Sequence, residues 1–234
     1  MKNINQSKKQ YVTKVFNEDF NKYDLMNDLM SFGAHRLWKS KLIHLMSPRQ
    51  NQHLIDVASG TGDVARAFLK ETNFSGKVSC VEPNKNMLKI GEKKLKNLAN
   101  VKWYRAQAEK LPFKDETFDI YVVSFGIRNF SNIRLALNES RRVLKTGGRF
   151  LCLEFSKVNN EILSEFYKKY SKMIPHIGKY IVGKSEPYEY LINSINDFYS
   201  QEELLKLIKS NGFESVEFRD LSGGIAAIHS GWKI

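Results

Sequence analysis

The chain has 234 residues, a formal net charge of +12 and a hydrophobic share of 42%. That length suits one domain, residues 1–234, and no apolar run approaches the roughly 20 residues that a membrane-spanning helix needs. The polar first residues do not resemble a secretory signal, and the two cysteines, Cys80 and Cys152, lie in apolar strand-like runs, so we expect neither disulfides nor a metal ion.

Helices are predicted between about residues 8 and 47, where apolar residues recur at helical spacing, and we treat residues 1–50 as an N-terminal helical cap. Strands and helices then alternate. The strand-like runs are residues 53–57, 77–82, 101–105, 118–125 and 149–155, and the helical patterns between them are residues 63–70, 84–96 and 132–144. This alternation predicts a mostly parallel sheet with helices on both faces and a ligand at the carboxyl ends of the strands.

The pattern changes after the fifth strand. The pair Gly147-Gly148 is interpreted as a helix stop before a strand that begins at residue 149. Residues 157–198 are rich in aromatic and aliphatic side chains and predict a helical insertion, which either packs on the core or covers an apolar substrate as a lid. A helix near residues 200–211 and two strands, 215–219 and 224–229, complete an expected sheet of seven strands.

A glycine-paired loop, residues 56–63 (DVASGTGD), follows the first strand. Its glycines allow a sharp turn and a close approach to a ligand, and an acid about 20 residues further on can hold a ribose diol. The sequence of this loop also fits the dinucleotide-binding fingerprint, so a nicotinamide oxidoreductase is an alternative. Asp56 and Asp63, however, stand where a pyrophosphate would bind. They favour a cofactor that carries positive charge, such as S-adenosylmethionine, and the remaining alternative is a turn whose glycines serve geometry alone.

Four segments carry a specific resemblance. They are residues 23–39 (YDLMNDLMSFGAHRLWK), 124–129 (SFGIRN), 142–156, which contains RVLKTGGR and LEFS, and 223–233 (GGIAAIHSGWK). In these segments the chain resembles the UbiE/MenG family of class I S-adenosylmethionine-dependent methyltransferases, which act in ubiquinone and menaquinone biosynthesis. Thr146 stands where the family usually has proline, a change that affects only the stiffness of a turn. The resemblance covers nearly the whole chain and implies the Rossmann-like α/β fold of that class.

The resemblance implies a set of cofactor-binding residues. They are Asp56, Gly60, Thr61, Gly62, Glu82, Gln107, Ala108 and Ser124. Glu82 would accept hydrogen bonds from the ribose, and Gln107 with Ala108 would lie beside the adenine. Family members often have aspartate in place of Glu82 and asparagine or aspartate in place of Gln107, and both replacements keep the necessary hydrogen-bonding groups. S-adenosylhomocysteine would be the product.

The resemblance also implies the acceptor, a ring carbon of 2-methoxy-6-polyprenyl-1,4-benzoquinol, of demethylmenaquinol, or of both. A ring carbon becomes nucleophilic when a neighbouring hydroxyl loses its proton, so the site needs a base and a group that stabilises the oxygen anion. Arg128 and Asn129 fit the second need, since arginine cannot act as the base but can stabilise an anion or order a water. Asp24 and Asp28 are candidate proton acceptors, whereas His35 fits a helix start better.

The positive charge allows several partners. Most lysines are expected on solvated helix faces, an anionic membrane surface comes second, and nucleic acid is not expected because no recognisable RNA module accompanies the charge. We expect a cytoplasmic protein, with peripheral binding to the inner face of the membrane as a further prediction. A homodimer or a quinone-biosynthesis complex is also a hypothesis. An alternative function is methylation of another apolar small molecule by the same fold.

Overall fold

The computed structural model describes residues 28–31, 33–159, 161–182 and 185–234. Its centre is a seven-stranded sheet in the order β3-β2-β1-β4-β5-β7-β6, in which only β7 pairs antiparallel to its neighbours. The strands are β1 (His53–Val57), β2 (Lys77–Val81), β3 (Val101–Tyr104), β4 (Phe118–Ser124), β5 (Leu144–Phe155), β6 (Glu214–Leu221) and β7 (Ala226–Trp232). The expected mostly parallel sheet of seven strands is confirmed.

Helices cover both faces of the sheet. They are α1 (His35–Met46), α2 (Asp63–Glu71), α3 (Lys85–Lys94), α4 (Ile133–Val143), α5 (Glu161–Val182), α6 (Glu186–Asn196) and α7 (Gln201–Ser210), with 3-10 turns at Ile127–Asn129 and Ser222–Gly224. Two separate apolar clusters fill the spaces above and below the strands, one containing Trp38 of α1 and the other Leu137 of α4. Burial on both faces explains why strands such as β4 are apolar almost throughout.

Polar side chains cap several of these helices. The Asn84 side chain accepts hydrogen bonds from the backbone N–H groups of Asn86 and Met87 at the start of α3, and Asn132 caps α4 in the same way. Ser200 and Glu203 form a reciprocal capping box at the start of α7. Each cap satisfies backbone donors that the helix itself leaves open, so these starts follow from local sequence.

The glycine pair 147–148 has a different role from the one that the sequence suggested. The helix α4 already ends at Val143, β5 begins at Leu144, and both glycines lie inside that strand. The pairing of β4 with β5 shifts register here, and Gly147 has a φ of +77°, which glycine adopts readily. The backbone of Lys233 pairs with both glycines. The interpretation as a helix stop was therefore wrong, because the pair forms a bulge that strand pairing holds in place.

The helices α5 and α6 form the insertion that precedes the last two strands. Two tyrosine hydroxyl groups of α5 donate hydrogen bonds to backbone carbonyls of residues 28–31: Tyr167 to Met30 at 3.0 Å and Tyr170 to Leu29 at 2.6 Å. These bonds tie the insertion to the segment before α1. No helix in the described part of the chain is both long enough and apolar enough to cross a bilayer.

Candidate active site

Residues from three neighbouring strands meet at the carboxyl edge of the sheet. The parallel register aligns Val57 of β1 with Val81 of β2 and with Val123 of β4. The residues that come next along the chain, Ala58, Glu82 and Ser124, therefore lie side by side. The structure brings together the glycine loop, the acid after β2 and the serine after β4, as the sequence predicted for a cofactor site.

The glycine loop is tightly packed. Gly60 and Gly62 have φ values of +57° and +85°, in the left-handed region that favours glycine. A Cβ on Gly62 would come within 2.6 Å of the Leu95 side chain, which would have to move to make room for it. Ala58 also has a positive φ, +55°, and a Cβ on Gly126 would lie only 2.5 Å from the Ala58 side chain. The loop thus lies directly against the turn that follows β4.

Glu82 shapes this loop through its carboxyl group. One oxygen accepts a hydrogen bond from the Gly60 N–H at 2.9 Å, and the other accepts one from the Asn84 N–H at 2.8 Å. Burial raises the pKa of Glu82 to about 7, although both backbone bonds oppose this shift. Each carboxylate oxygen has a second lone pair, so the same group can hold the loop and accept a hydrogen bond from a ribose hydroxyl.

Two buried polar atoms at this edge have no hydrogen-bond partner among the described residues. They are Oδ2 of Asp56 and Oγ of Ser124. Burial raises the pKa of Asp56 to about 8, against the opposing effect of Lys39. Buried polar atoms normally find partners, and these two meet the polar groups of a bound small molecule well. The donors, acceptors and glycine cradle at this edge therefore fit S-adenosylmethionine.

The remaining residues of the expected cofactor set are Thr61, Gln107 and Ala108. Thr61 lies in the glycine loop, and its hydroxyl accepts a hydrogen bond from Lys94 at 3.4 Å. Ala108 is buried and belongs to the apolar cluster that contains Leu111 and Ile127, whereas Gln107 is exposed and bridges to Lys110. An apolar wall with an exposed amide next to it suits a purine ring, which has two apolar faces and a polar edge.

The surroundings of Asp63 contradict the expectation that its charge would repel a phosphate. Its carboxylate contacts the ammonium groups of Lys94 at 2.5 Å and Lys39 at 3.0 Å. Burial alone would raise the pKa of Asp63, but these two lysines lower it to about 2. Because its charge is balanced, the repulsion argument from Asp63 was wrong. Its actual role is to join α1 and α3 to the start of α2.

Arg128 lies in a buried ion pair that the sequence analysis missed. Its Nη1 atom contacts the carboxylate of Glu154, the acid near the end of β5, and donates a hydrogen bond to the Phe125 carbonyl at 3.0 Å. The side chains of both charged residues are almost completely buried. The position of Glu154 inside the segment LEFS was the available signal, but an isolated acid in an apolar strand does not reveal its partner.

Asn129, the neighbour of Arg128, contacts the insertion. The hydroxyl of Tyr190 in α6 donates a hydrogen bond to Oδ1 of Asn129 at 2.9 Å. Two of the three residues of the 3-10 turn are thus held by side chains from other elements, Arg128 by β5 and Asn129 by α6. Tyr190 is a second residue that sequence reasoning did not single out, because it was one aromatic residue among many in the insertion.

Asp24 and Asp28 were the two candidate proton acceptors of the N-terminal segment. Asp24 lies outside the described residues. Asp28 binds both terminal nitrogens of the Arg36 guanidinium and accepts a bond from Nε2 of His35 at 2.9 Å. The bond from Arg36 is the main reason why the pKa of Asp28 is lowered, which makes this carboxylate a weaker base. His35 is buried at the first position of α1, and its N–H donates to Ser31 at 3.1 Å, as a helix start would.

Comparison with known proteins adds independent information. A sequence model described as the ubiE/COQ5 methyltransferase family matches residues 4–233. A Rickettsia akari protein named ubiquinone/menaquinone biosynthesis C-methyltransferase UbiE is 49% identical, with 100% of this chain and 97% of the relative covered. The protein of that name from Rickettsia prowazekii is 48% identical over 241 residues, which again cover 100% of this chain and 97% of the relative.

Solved structures show the same fold. An S-adenosylmethionine-dependent methyltransferase from Thermotoga maritima matches with a TM-score of 0.66 and 23% identity, covering 94% of this chain and 99% of its own. Another from Aquifex aeolicus matches with a TM-score of 0.66 and 17% identity, covering 92% and 97%. At such identities the likeness concerns the fold, and that fold is the Rossmann-like architecture that the resemblance implied.

Proposed function

Because this chain belongs to the ubiE/COQ5 methyltransferase family, we propose that it methylates a ring carbon of a polyprenyl quinol in ubiquinone or menaquinone biosynthesis. It is an enzyme, and S-adenosylmethionine is its methyl donor. Relatives that share about half of its residues over the full length carry the name of that biosynthetic step, which supports carbon as the methylated atom. The proposed acceptors are 2-methoxy-6-polyprenyl-1,4-benzoquinol and demethylmenaquinol.

We assign cofactor binding to the carboxyl edge of the sheet. The proposed residues are Asp56, Gly60, Thr61, Gly62, Glu82, Gln107, Ala108 and Ser124. Asp56 and Ser124 each have a buried atom with no partner among residues 28–31, 33–159, 161–182 and 185–234, and these atoms, together with the cradle formed by the glycines, support this assignment. When bound, the cofactor supplies an electrophilic methyl group. The side chains at this edge bind and orient it, and they exclude water from the buried end of the loop.

One observation carries the proposal for the acceptor side. The Arg128-Asn129 turn directly follows β4 and packs through Gly126 against Ala58 of the cofactor loop. Groups on this turn are therefore within reach of an acceptor beside the cofactor. As a ring hydroxyl loses its proton, negative charge develops on that oxygen, and a side-chain amide held in position can donate a hydrogen bond to it. We assign that donation to Asn129.

Arg128 has a different proposed task. Its guanidinium is paired with Glu154, so it is not a free cation for the substrate oxygen. It holds the 3-10 turn in place and contributes a partly balanced positive charge near the acceptor. Asp24 remains the proposed proton acceptor, whereas the contacts of Asp28 with Arg36 and His35 favour a role in fixing the start of α1.

The test is direct methylation in vitro. The purified enzyme is incubated with S-adenosylmethionine and each reduced quinol under anaerobic conditions, and the products are identified by mass spectrometry. We expect a gain of one methyl group on a ring carbon of at least one quinol. Complementation of strains that lack each quinone methylation step then distinguishes the benzoquinol from the naphthoquinol. Methylation on oxygen, or none with either quinol, would contradict the proposal.

The acceptor's polyprenyl chain resides in a bilayer, so we also propose that the enzyme binds the membrane surface peripherally. Three large apolar side chains of α5 are exposed and lie seven residues apart: Phe166 and Met173 are each 60% exposed, and Tyr180 is 93% exposed. This spacing puts them on one face of the helix, next to the exposed Lys169, which pairs with Glu165 at 2.9 Å. With a net charge of +12, contact with anionic lipids on the cytoplasmic side is favoured.

Vesicle flotation tests this contact. We expect binding to anionic vesicles at low salt, weaker binding to neutral vesicles, and release at high salt, since the Debye length falls to about 3 Å at 1 M. The variant Phe166→Ser/Met173→Ser should bind less, whereas Phe74→Ser, which changes an exposed phenylalanine between α2 and β2, should not. Equal loss in both variants would rule out the α5 face. Sedimentation of the purified enzyme tests the hypothesis of a homodimer.

A further inference from the structure

A hydrogen bond from α6 to the 3-10 turn Ile127–Asn129 can affect methyl transfer, because it orients a side chain assigned to the acceptor. We propose that Tyr190 is a positioning residue: by donating to Oδ1 of Asn129, it leaves the Nδ2 group of that amide as the donor for the acceptor oxygen. This inference rests on the proposed function, since it names the residue that orients the group assigned to the quinol oxygen. It gives the insertion a part in the chemistry besides any role as a cover.

The position of Tyr190 is set by the packing of α6. Tyr188, Leu191 and Ile195 are buried on one face of that helix and belong to the apolar cluster on this side of the sheet. Tyr190 lies at the margin of this face, where it is half-buried, and α6 contacts the 3-10 turn. Its hydroxyl is therefore held by a packed helix, which restricts the geometry of the bond to Asn129.

The chemistry of the amide makes its orientation matter. An asparagine side chain has an acceptor oxygen and a donor NH₂ group, which differ little in size but have opposite polarity. An oxygen anion that develops during the reaction is stabilised by Nδ2 and repelled by Oδ1. After a flip the Tyr190 oxygen could accept a hydrogen bond from Nδ2, but a phenol O–H is a stronger donor than its oxygen is an acceptor, so the flip replaces a stronger hydrogen bond with a weaker one. The bond thus biases Asn129 towards the orientation that stabilises the anion.

A purely structural role for Tyr190 is the competing explanation. Tyr167 and Tyr170 also join the insertion to the rest of the molecule through single hydroxyl groups, and their acceptors are backbone carbonyls. If Tyr190 were another tie of this kind, its loss would loosen the insertion whether or not Asn129 was present. If it acts through Asn129, its effect must depend on that amide.

A double-mutant cycle separates these roles. Tyr190→Phe, Asn129→Ala and the double variant are compared in turnover of a reduced quinol, with separate determination of kcat, KM and the Kd of S-adenosylmethionine. We expect Tyr190→Phe to lower kcat about tenfold in the wild-type background, because one hydrogen bond is lost in the transition state. In the Asn129→Ala background it should lower kcat less than about twofold. The cofactor Kd should remain unchanged in all three.

Two controls match the change. Tyr170→Phe removes a hydroxyl that ties α5 to Leu29, and its effect should be the same with and without Asn129. Tyr199→Phe removes a hydroxyl from an exposed ring outside the insertion and should leave turnover unchanged. An effect of Tyr190→Phe that is equal in both backgrounds, or no effect on kcat at all, would overturn the inference.

A measurement without a substrate keeps this test separate from that of the proposed function. The ¹⁵N–¹H signals of the Asn129 side-chain amide, identified by their absence in Asn129→Ala, should shift in Tyr190→Phe and remain in place in Tyr170→Phe. An enzyme that methylates no quinol but shows this shift would refute the proposed substrate and retain the positioning of the amide. Unchanged amide signals in Tyr190→Phe would refute the positioning even if the quinol is methylated.

Discussion

At the cofactor edge the side chains come from residues that directly follow neighbouring strands, whereas on the acceptor side they come from segments far apart in the chain. Gly60 and Glu82, which bond at the cofactor edge, are 22 positions apart. On the acceptor side, Asn129 and Tyr190 are 61 positions apart, and Leu29 and Tyr170 are 141 apart. Parallel pairing brings residues of the first kind together because each follows a strand, whereas the second kind of site depends on how the helices pack.

The difference extends to polarity. At the cofactor edge, Asp56 and Ser124 have atoms that lack partners in the described part of the chain, which favours a ligand there. On the acceptor side the charge of Arg128 is already balanced by Glu154. The first region is arranged to bind a polar molecule, and the second to hold a turn rigid beside it. Substitutions can disrupt either region without the other.

Breaking the Arg128–Glu154 pair should have the largest effect. Arg128→Ala leaves the Glu154 carboxylate buried without its partner, and we expect the free energy of unfolding to fall by about 3–5 kcal/mol. Urea unfolding measures this loss. Arg128→Met/Glu154→Leu replaces the pair with apolar side chains of similar volume and should regain most of the stability. In that double variant turnover should remain at least about a hundredfold lower, with unchanged cofactor affinity. Wild-type turnover would remove Arg128 from the acceptor side.

Removing the Glu82 carboxylate should weaken the cofactor edge alone. In Glu82→Ala we expect S-adenosylmethionine to bind about tenfold to a hundredfold more weakly, since hydrogen bonds to a charged group contribute roughly 1.5–3 kcal/mol. The loop also loses the bonds to the Gly60 and Asn84 N–H groups. Calorimetric titration measures the affinity, and circular dichroism serves as the control for folding. An unchanged affinity in the folded variant would contradict the assignment.

The two buried carboxyl groups of the cofactor edge make the stability of the cofactor-free enzyme dependent on pH. Burial raises the pKa of Asp56 to about 8 and that of Glu82 to about 7, both above their values in an unfolded chain. Their protonated forms favour the folded state, so stability falls as pH rises through these values. Between pH 7 and 8.5 we expect a loss of roughly 1–2 kcal/mol. Asp56→Asn should remove most of this loss in urea unfolding at the two pH values, whereas an equal loss in the variant would point to other groups.

The smallest expected effect concerns the backbone of the glycine loop. Ala58 is held at a φ of +55°, which costs an L-residue roughly 1 kcal/mol and costs glycine little. Ala58→Gly should therefore raise the free energy of unfolding by up to about 1 kcal/mol. Ala67→Gly is the matched control. Ala67 lies inside helix α2, where replacing alanine with glycine should lower the free energy of unfolding by a similar amount. Destabilisation in both variants would mean that the strain at Ala58 is negligible.

Much of the architecture could be predicted from sequence, because strand and helix periodicities depend on neighbouring residues. The strand predicted at residues 53–57 is observed as His53–Val57, and the helix expected from residue 132 starts at Ile133 with Asn132 as its cap. The glycine pair at 147–148 is the exception. Its pattern is equally typical of a helix end and of a bulge, and only the pairing of β5 with its neighbours determined which one formed.

The sequence alone predicts that the glycine loop, Glu82 and Ser124 lie together, since each follows a strand and parallel pairing brings the ends of such strands together. The family could also be recognised from the sequence, because the relevant motifs are contiguous. The partners of the charged and polar groups could be read only from the folded molecule: Lys39 and Lys94 for Asp63, Glu154 for Arg128, and Tyr190 for Asn129. The physical reason is that periodicity tells which residues are buried, whereas the partner of a buried charge depends on distances between elements that are remote in the chain.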